Sequence, residues 1–169
     1  NLQAISTHYA DFISSIGNNN VMLAAVSETM ADKKKIQRFE VPGYRWISPP
    51  EGCFERGFQF LLRKDVGYSH FSKPKSEALC LRIFTTNCSL IASGGYNRPK
   101  TTKVITDVSD SSSSLQGNHD TAFALGDFNS RHQSWCHASN DSGKPLFEMF
   151  ETLDFHVCNP HLPTCIRHN

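Results

Sequence analysis

Thr121-Ala122-Phe123-Ala124-Leu125-Gly126-Asp127-Phe128-Asn129 runs from an apolar segment straight into a glycine, a carboxylate and an amide. Thr121 to Leu125 read as a buried strand. In strand geometry residues i and i+2 share a side, so Asp127 and Asn129 are expected together at the strand's C-terminal mouth, with Phe128 turned into the core. A carboxylate can hold a hard cation or polarise an attacking water, and an amide can orient a phosphate oxygen. A strand followed by an ordinary Asp/Asn turn is the plain alternative, and the rest of the chain has to decide.

Outward from this stretch, 169 residues are enough for one domain with its own core. A hydrophobic share of 38% that includes 12 Phe excludes a disordered chain. The formal net charge of +1 gives no strong electrostatic footprint for nucleic acid, so phosphate contacts have to come from local patches. Cys53, Cys80, Cys88, Cys136, Cys158 and Cys165 contain no CxxC pair and match no zinc spacing. Cys80 and Cys158 sit in apolar runs, which suits a reduced, intracellular protein. No apolar run approaches a membrane span and no signal peptide is visible, so no membrane partner is expected. The chain opens on Asn1 rather than Met, and the first strand is expected to be cut there.

Ile5, Tyr9, Phe12, Ile13 and Ile16 recur at helical spacing, with Ser6 or Thr7 to cap and Gly17 to stop the run. Val21 to Val26 reads as a strand buried on both faces, ending at Ser27-Glu28-Thr29. Lys33-Lys34-Lys35 reads as a solvated loop. Further strands are expected at Tyr44 to Ile47, Gly57 to Arg63, Ala78 to Phe84 and Leu90 to Ser93. Thr101 to Val108 reads as a short helix, and the Ser-rich Asp107 to Ser114 as a flexible loop. Leu146, Met149, Phe150 and Leu153 line a helix face, and Phe155 to Cys158 reads as a strand. Strands and helices mostly alternate, which argues for a mixed α/β sandwich in one domain.

Four strands end in chemistry-bearing residues: Asn1, Glu28, Tyr96, and Asp127 with Asn129. Strand ends are where α/β sheets place their sites. Each residue has a plain reading as a terminus, a surface acid or a turn residue, but four plain readings in one chain are harder to accept together.

An ordered series of segments then resembles the endonuclease/exonuclease/phosphatase superfamily. The likeness is greatest to the endonuclease domain of non-LTR retrotransposon polyproteins. It is carried by Asn1-Leu2-Gln3 before an amphipathic helix and by Val26-Ser27-Glu28-Thr29. It continues through Val41-Pro42-Gly43-Tyr44, Leu62-Arg63-Lys64-Asp65 and Tyr96-Asn97-Arg98-Pro99. Gly126-Asp127-Phe128-Asn129-Ser130-Arg131-His132-Gln133-Ser134-Trp135 and Asn159-Pro160 with Pro163-Thr164 complete it. The resemblance implies a DNase I-like fold: a four-layer α/β sandwich of two packed mixed sheets flanked by helices. Residues 1–169 would form a single domain, incomplete at both ends and lacking its C-terminal strands.

What the resemblance implies chemically is divalent-metal-dependent phosphodiester hydrolysis that nicks DNA. Glu28 would hold Mg²⁺ (or Mn²⁺), and Asn1 would help place the ion or the phosphate. Tyr96 would aim its hydroxyl at the scissile phosphate, Asp127 would orient or activate the attacking water, and Asn129 would hold a phosphate oxygen. Arg98 and Thr164 would contact substrate at the rim, and His132 and Trp135 would pack and shape the loop nearby. The implied partners are DNA and, in an intact polyprotein, a C-terminal reverse transcriptase domain and the element RNA, with nuclear action on DNA. The family pattern carries a later Ser-Asp-His whose histidine is the general base. The chain ends in Arg167-His168-Asn169 without that context, which implies a fragment of weak or no activity. A non-catalytic DNA-binding remnant is the alternative from another class, and a phosphatase or repair exonuclease the alternative within the superfamily. Gly94-Gly95 and Asn97 depart from the family pattern in a way expected to loosen the tyrosine segment. Cys136 and Asp154 stand where glycine is usual.

Overall fold

β3 (Phe58–Arg63) carries the residue pattern on which both sheets are assembled. Its alternate residues Phe58, Phe60 and Leu62 face one way and Leu61 the other, and all four are fully buried. The computed structural model describes residues 5–31, 33–49, 57–71, 78–113 and 121–158. Within them β3 pairs antiparallel with β1 (Leu23–Ser27) on one side and β2 (Tyr44–Ile47) on the other. The second sheet has the order β4 (Gly67–His70), β5 (Ala78–Phe84), β6 (Ser89–Tyr96), β7 (Thr121–Asp127). Its first two pairings are antiparallel and β6–β7 is parallel, the chain crossing between them through α3 (Lys103–Ser113).

Phe58, Phe60 and Leu62 meet Leu79, Leu81, Ile83, Ala92 and Tyr96 of the second sheet in the central core. Each such side chain contributes roughly 1.5–3 kcal/mol by leaving water. On the outer face of the first sheet, Phe12, Ile13 and Ile16 of α1 (Ile5–Asn18) pack against Val26 and Leu61. On the outer face of the second, Val104, Ile105 and Val108 of α3 pack with Ala78 and with Leu146 and Met149 of α4 (Gly143–Leu153). The layers are therefore helix, sheet, sheet, helix, the four-layer sandwich expected from the sequence. The first sheet is antiparallel throughout its described strands, and only the second is mixed.

Several local expectations need correction. Thr121 to Leu125 is a strand but not a buried one: among the described residues β7 has β6 as its sole strand neighbour, and Phe123 stays 46% exposed. Leu23 to Ala25 are half-buried rather than enclosed on both faces. Lys33 to Ile36 form a short helix, α2, because Ile36 is fully buried with Ile5 and Ala31 and pulls the basic run into a turn. The Ser-rich stretch stays helical to Ser113. Val104, Ile105 and Val108 anchor its one face, and Ser111 donates its hydroxyl to the Asp107 carbonyl one turn back at 2.8 Å. Phe155 to Cys158 form no strand; Phe155 folds back onto Phe150, edge to face at 6.3 Å.

β4 has no apolar alternation to reveal it. It forms because β5 offers a complete ladder, and the Arg45 guanidinium covers the Tyr68 ring at 4.9 Å. Arg63-Lys64-Asp65 forms the turn between β3 and β4, at the opposite end of the first sheet from Glu28. There Arg63 donates to Asp65 at 2.7 Å, and this bond raises the guanidinium pKa above its ordinary value. Among the described residues no helix is long and apolar enough to cross a membrane.

Candidate active site

β1, β6 and β7 all deliver their C-terminal ends to one mouth of the sandwich. β6 and β7 run parallel with Tyr96 directly opposite Asp127. From β6 the Tyr96 ring crosses the central core, 1% exposed, and its hydroxyl donates to Glu28 Oε1 at 3.3 Å. A tyrosine can do both because only its tip is polar. The bond joins the two sheets and, with Asp127 opposite Tyr96 on the β6–β7 ladder, brings together three of the residues singled out in the sequence.

Glu28 stands just past β1 with a φ of +56°, and Met30 follows at +52°. Left-handed backbone at residues other than glycine costs of order 1–3 kcal/mol and persists only where the surroundings hold it. The holding contacts are visible. Thr29, 1% exposed, donates its hydroxyl to Gln59 Oε1 at 2.9 Å, Gln59 donates to the Ala31 carbonyl at 3.4 Å, and the Ile5 amide donates to the Thr29 carbonyl at 3.1 Å. Gln59 was not visible as a site-supporting residue, since a glutamine within an apolar strand gives no local sign of its partner.

At the other strand end the pleat does not continue to Asn129. β7 stops at Asp127, and Asn129 turns left-handed with a φ of +47°. Its amide donates to Asp127 Oδ1 at 3.0 Å. An Asx turn, rather than strand alternation, therefore puts Asp127 beside Asn129. Phe128 packs onto the layer of α3 and α4, as the sequence suggested. Asn129 Nδ2 donates to the Asn97 carbonyl at 2.9 Å, which fixes the amide plane and leaves a second N–H on that nitrogen. The Asn129 carbonyl accepts from Asn140 at 2.8 Å and Ser142 at 3.1 Å, anchoring the turn to the start of α4.

Asn97 overturns the expectation of a loosened tyrosine segment. It is fully buried. Its amide donates to the Asp127 carbonyl at 2.9 Å, and its side chain donates to the carbonyls of Thr101 at 2.6 Å and Phe128 at 3.1 Å. Its Oδ1 accepts from the Thr101 hydroxyl at 3.2 Å. It pins the Tyr96 loop to the Asp127 loop. Asn97→Ala strands buried backbone carbonyls, so a loss of about 1–3 kcal/mol is expected, read as a lowered urea midpoint with an unchanged slope.

Gly94 also tightens rather than loosens. A Cβ there would lie 2.2 Å from the Leu125 carbonyl and 2.8 Å from the Phe58 ring, so glycine is what lets β6 lie against its neighbours.

The remaining candidates fall at the rim or behind it. Arg98 is exposed beside Asn97, and its carbonyl closes a turn with Thr101 at 3.1 Å. His132 stacks on Phe147 with ring centroids 4.3 Å apart, and Trp135 donates its indole N–H to the Ser130 carbonyl at 3.2 Å. Both brace the turn from behind. Asp154 ends α4 with a φ of +54°, taking the left-handed cap where glycine is usual. Asn1 and Thr164, with Asn159, Pro160 and Pro163, lie outside the described residues.

Glu28, Asp127 and the Tyr96 hydroxyl offer oxygen donors. Among the described residues no group of three or more His, Cys, Asp or Glu could ligate an ion together. The Glu28 carboxylate in this set is an oxygen donor of the kind Mg²⁺ or Mn²⁺ takes, since Mg²⁺ is typically bound by one or two carboxylates and keeps several waters.

Residues 90–169 match the family model described as endonuclease-reverse transcriptase. The whole fold superposes on the endonuclease domain of TRAS1, a telomere-specific non-LTR retrotransposon. The TM-score is 0.70 at 14% identity, over 92% of this chain and 69% of that one. Residues 90–169 thus resemble that family, and the chain shares the fold of that endonuclease domain. Other solved structures share the fold at lower similarity. A mannosyl-6-phosphatase from Bacteroides thetaiotaomicron has a TM-score of 0.57 at 12% identity over 86% of this chain. A 3'-5' exonuclease from Neisseria meningitidis has a TM-score of 0.58 at 13% identity over 89%. The chain spans 63% of the phosphatase and 67% of the exonuclease. A search of the curated proteins finds no matching sequence.

Proposed function

We propose that the chain is a divalent-metal-dependent phosphodiesterase that nicks DNA, the endonuclease of a non-LTR retrotransposon. The observation that carries this reading is the Tyr96–Glu28 bond across the two sheets, with Asp127 in register beside Tyr96. The likeness to the TRAS1 domain supports the DNA substrate.

Glu28 would hold the Mg²⁺ ion, with Asn1 as the second group of the family pattern. When bound, the ion supplies Lewis-acid stabilisation of charge on the phosphate and the leaving 3′ oxygen. The chain's own residues do the rest. Asp127, its Oδ1 fixed by the Asn129 amide, orients or activates the attacking water, the base role belonging to the histidine of the family pattern. The Tyr96 hydroxyl, turning its one hydrogen away from Glu28, and the second Asn129 N–H donate to phosphate oxygens as negative charge grows there. Arg98, and Thr164 by the family pattern, contact the flanking backbone. Within an intact polyprotein, a reverse transcriptase domain and the element RNA would be the partners, with action in the nucleus.

The test separates metal from chemistry. Mn²⁺ binding, followed by electron paramagnetic resonance, is expected to weaken by about tenfold or more in Glu28→Ala. Nicking of supercoiled plasmid is expected to need Mg²⁺, to stop with EDTA and to be lost in the same variant. Unchanged Mn²⁺ binding in Glu28→Ala rejects the metal assignment. Hydrolysis of an inositol phosphate in preference to plasmid would move the reading to a phosphatase. DNA retention that falls with salt, without any nicking, would move it to a binding remnant.

A further inference from the structure

Three segments lead away from the strand ends at the mouth: residues 29–39 after Glu28, 97–106 after Tyr96 and 128–140 after Asp127. They hold eight of the chain's 17 Lys and Arg but one of its 16 Asp and Glu. The whole chain has a formal charge of +1, so the remainder is net acidic and the positive charge is gathered on the segments around the mouth.

The fold sets these cations on two flanks. On the side of the first sheet, Ile36 of α2 packs with Ile5 of α1 and with Ala31, which keeps the exposed Lys34 and Lys35 close to Glu28. Lys35 Nζ donates to the Met30 carbonyl at 3.5 Å. On the side of the second sheet, residues 97–103 lead from β6 into α3. The Thr101 amide and hydroxyl both donate to the Arg98 carbonyl, at 3.1 and 2.9 Å, and this turn holds Lys100 left-handed with a φ of +66°. Lys103 opens α3, and both lysines are exposed. Beside them stands the exposed Arg131. Its amide donates to Asn140 Oδ1 at 2.9 Å, and its carbonyl accepts from the Asn140 amide at 3.0 Å.

Distance then selects the ligand. Packed sheets lie about 10 Å apart face to face, and α2 and α3 stand outside the two sheets, so the flanks are farther apart than that. Phosphates of one DNA strand follow one another every ~3.4 Å of duplex axis. A ligand touching both flanks at once therefore spans at least about three nucleotide steps, which selects a polynucleotide over a sugar phosphate.

We propose that Lys34 and Lys35 on one flank, and Lys100 and Lys103 with Arg131 on the other, hold backbone phosphates of a DNA duplex on the two sides of the scissile one. The place of the scissile phosphate between the flanks rests on the nuclease reading.

The experiment is fluorescence anisotropy of a short labelled DNA duplex with the whole chain in EDTA, across a potassium chloride series. The logarithm of the affinity is expected to fall linearly with the logarithm of salt, and each phosphate contact removed to reduce the slope by about 1. Lys34→Gln with Lys35→Gln is expected to take about 2 off the slope, and Lys100→Gln with Lys103→Gln the same. Lys64→Gln is the control: Lys64 is exposed in the turn at the opposite end of the first sheet from Glu28, and its loss is expected to leave the slope unchanged. Melting temperatures are expected to stay in place, since all five lysines are exposed. An unchanged slope in either pair, an equal drop in the control, or a parent that retains no duplex at low salt overturns the proposal. A duplex held with both drops but never nicked when Mg²⁺ is added supports the surface and rejects the nuclease reading. Nicking with both slopes unmoved does the reverse.

Discussion

Asp127→Asn is expected to cut plasmid nicking by about 10²–10⁴-fold while Mn²⁺ binding and the melting temperature stay close to those of the parent. The substitution separates two jobs of one side chain. Asp127 Oδ1 accepts the Asn129 amide at 3.0 Å, and an asparagine keeps an oxygen there to do the same. What it removes is the negative charge that orients and polarises the attacking water. Asp127→Ala removes the turn as well and cannot make the distinction. The comparison uses single-turnover nicking at saturating Mg²⁺, beside a thermal melt of each variant. An Asn variant that nicks at the parent rate would show that the water is activated elsewhere, leaving Asp127 a turn residue only.

Gly126→Ala should come close to unfolding the second sheet at its active edge, with a loss of more than about 3 kcal/mol. Gly126 has a φ of +150°, and a Cβ built on it would sit 2.2 Å from the carbonyl oxygen of Gly95, its partner across the β6–β7 ladder. Backbone and strain thus oppose the same methyl group. Neither can yield without separating Tyr96 from Asp127, one residue further along the ladder. Urea denaturation measures the effect, with Gly17→Ala as control, because a Cβ at Gly17 meets nothing within 4 Å. Equal midpoints for the two variants would show that the ladder relaxes freely at this point.

The residues proposed to carry chemistry were readable because they sit where apolar runs stop. Glu28, Tyr96 and Asp127 each close a strand, and both the fold class and their convergence on one mouth follow from that arrangement. What holds them there was not readable. Asn97 looks like a departure from a family pattern until its partners at Thr101, Phe128 and Asp127 are known, two of which lie some thirty residues away. The left-handed backbone at Glu28 and Asn129 leaves no mark on the sequence, because neither residue is glycine and the conformation is imposed by neighbours. β4 went unseen since an exposed edge strand needs no apolar alternation. Phe155 to Cys158 was read as a strand because a short apolar run cannot by itself show whether it will pair or, as here, fold back onto a helix.

The Tyr96–Glu28 bond spans 68 residues of sequence and the interface between two sheets. Neither sheet can therefore own the site, and no nascent half of the chain can rehearse it. It exists only while the two sheets are packed together. In a loosened state that keeps its helices and strands but lets the sheets drift apart, the far-ultraviolet spectrum would hardly change while the mouth dissolved. The hydroxyl of one buried tyrosine thus serves as a latch whose engagement reports the final, tight stage of folding.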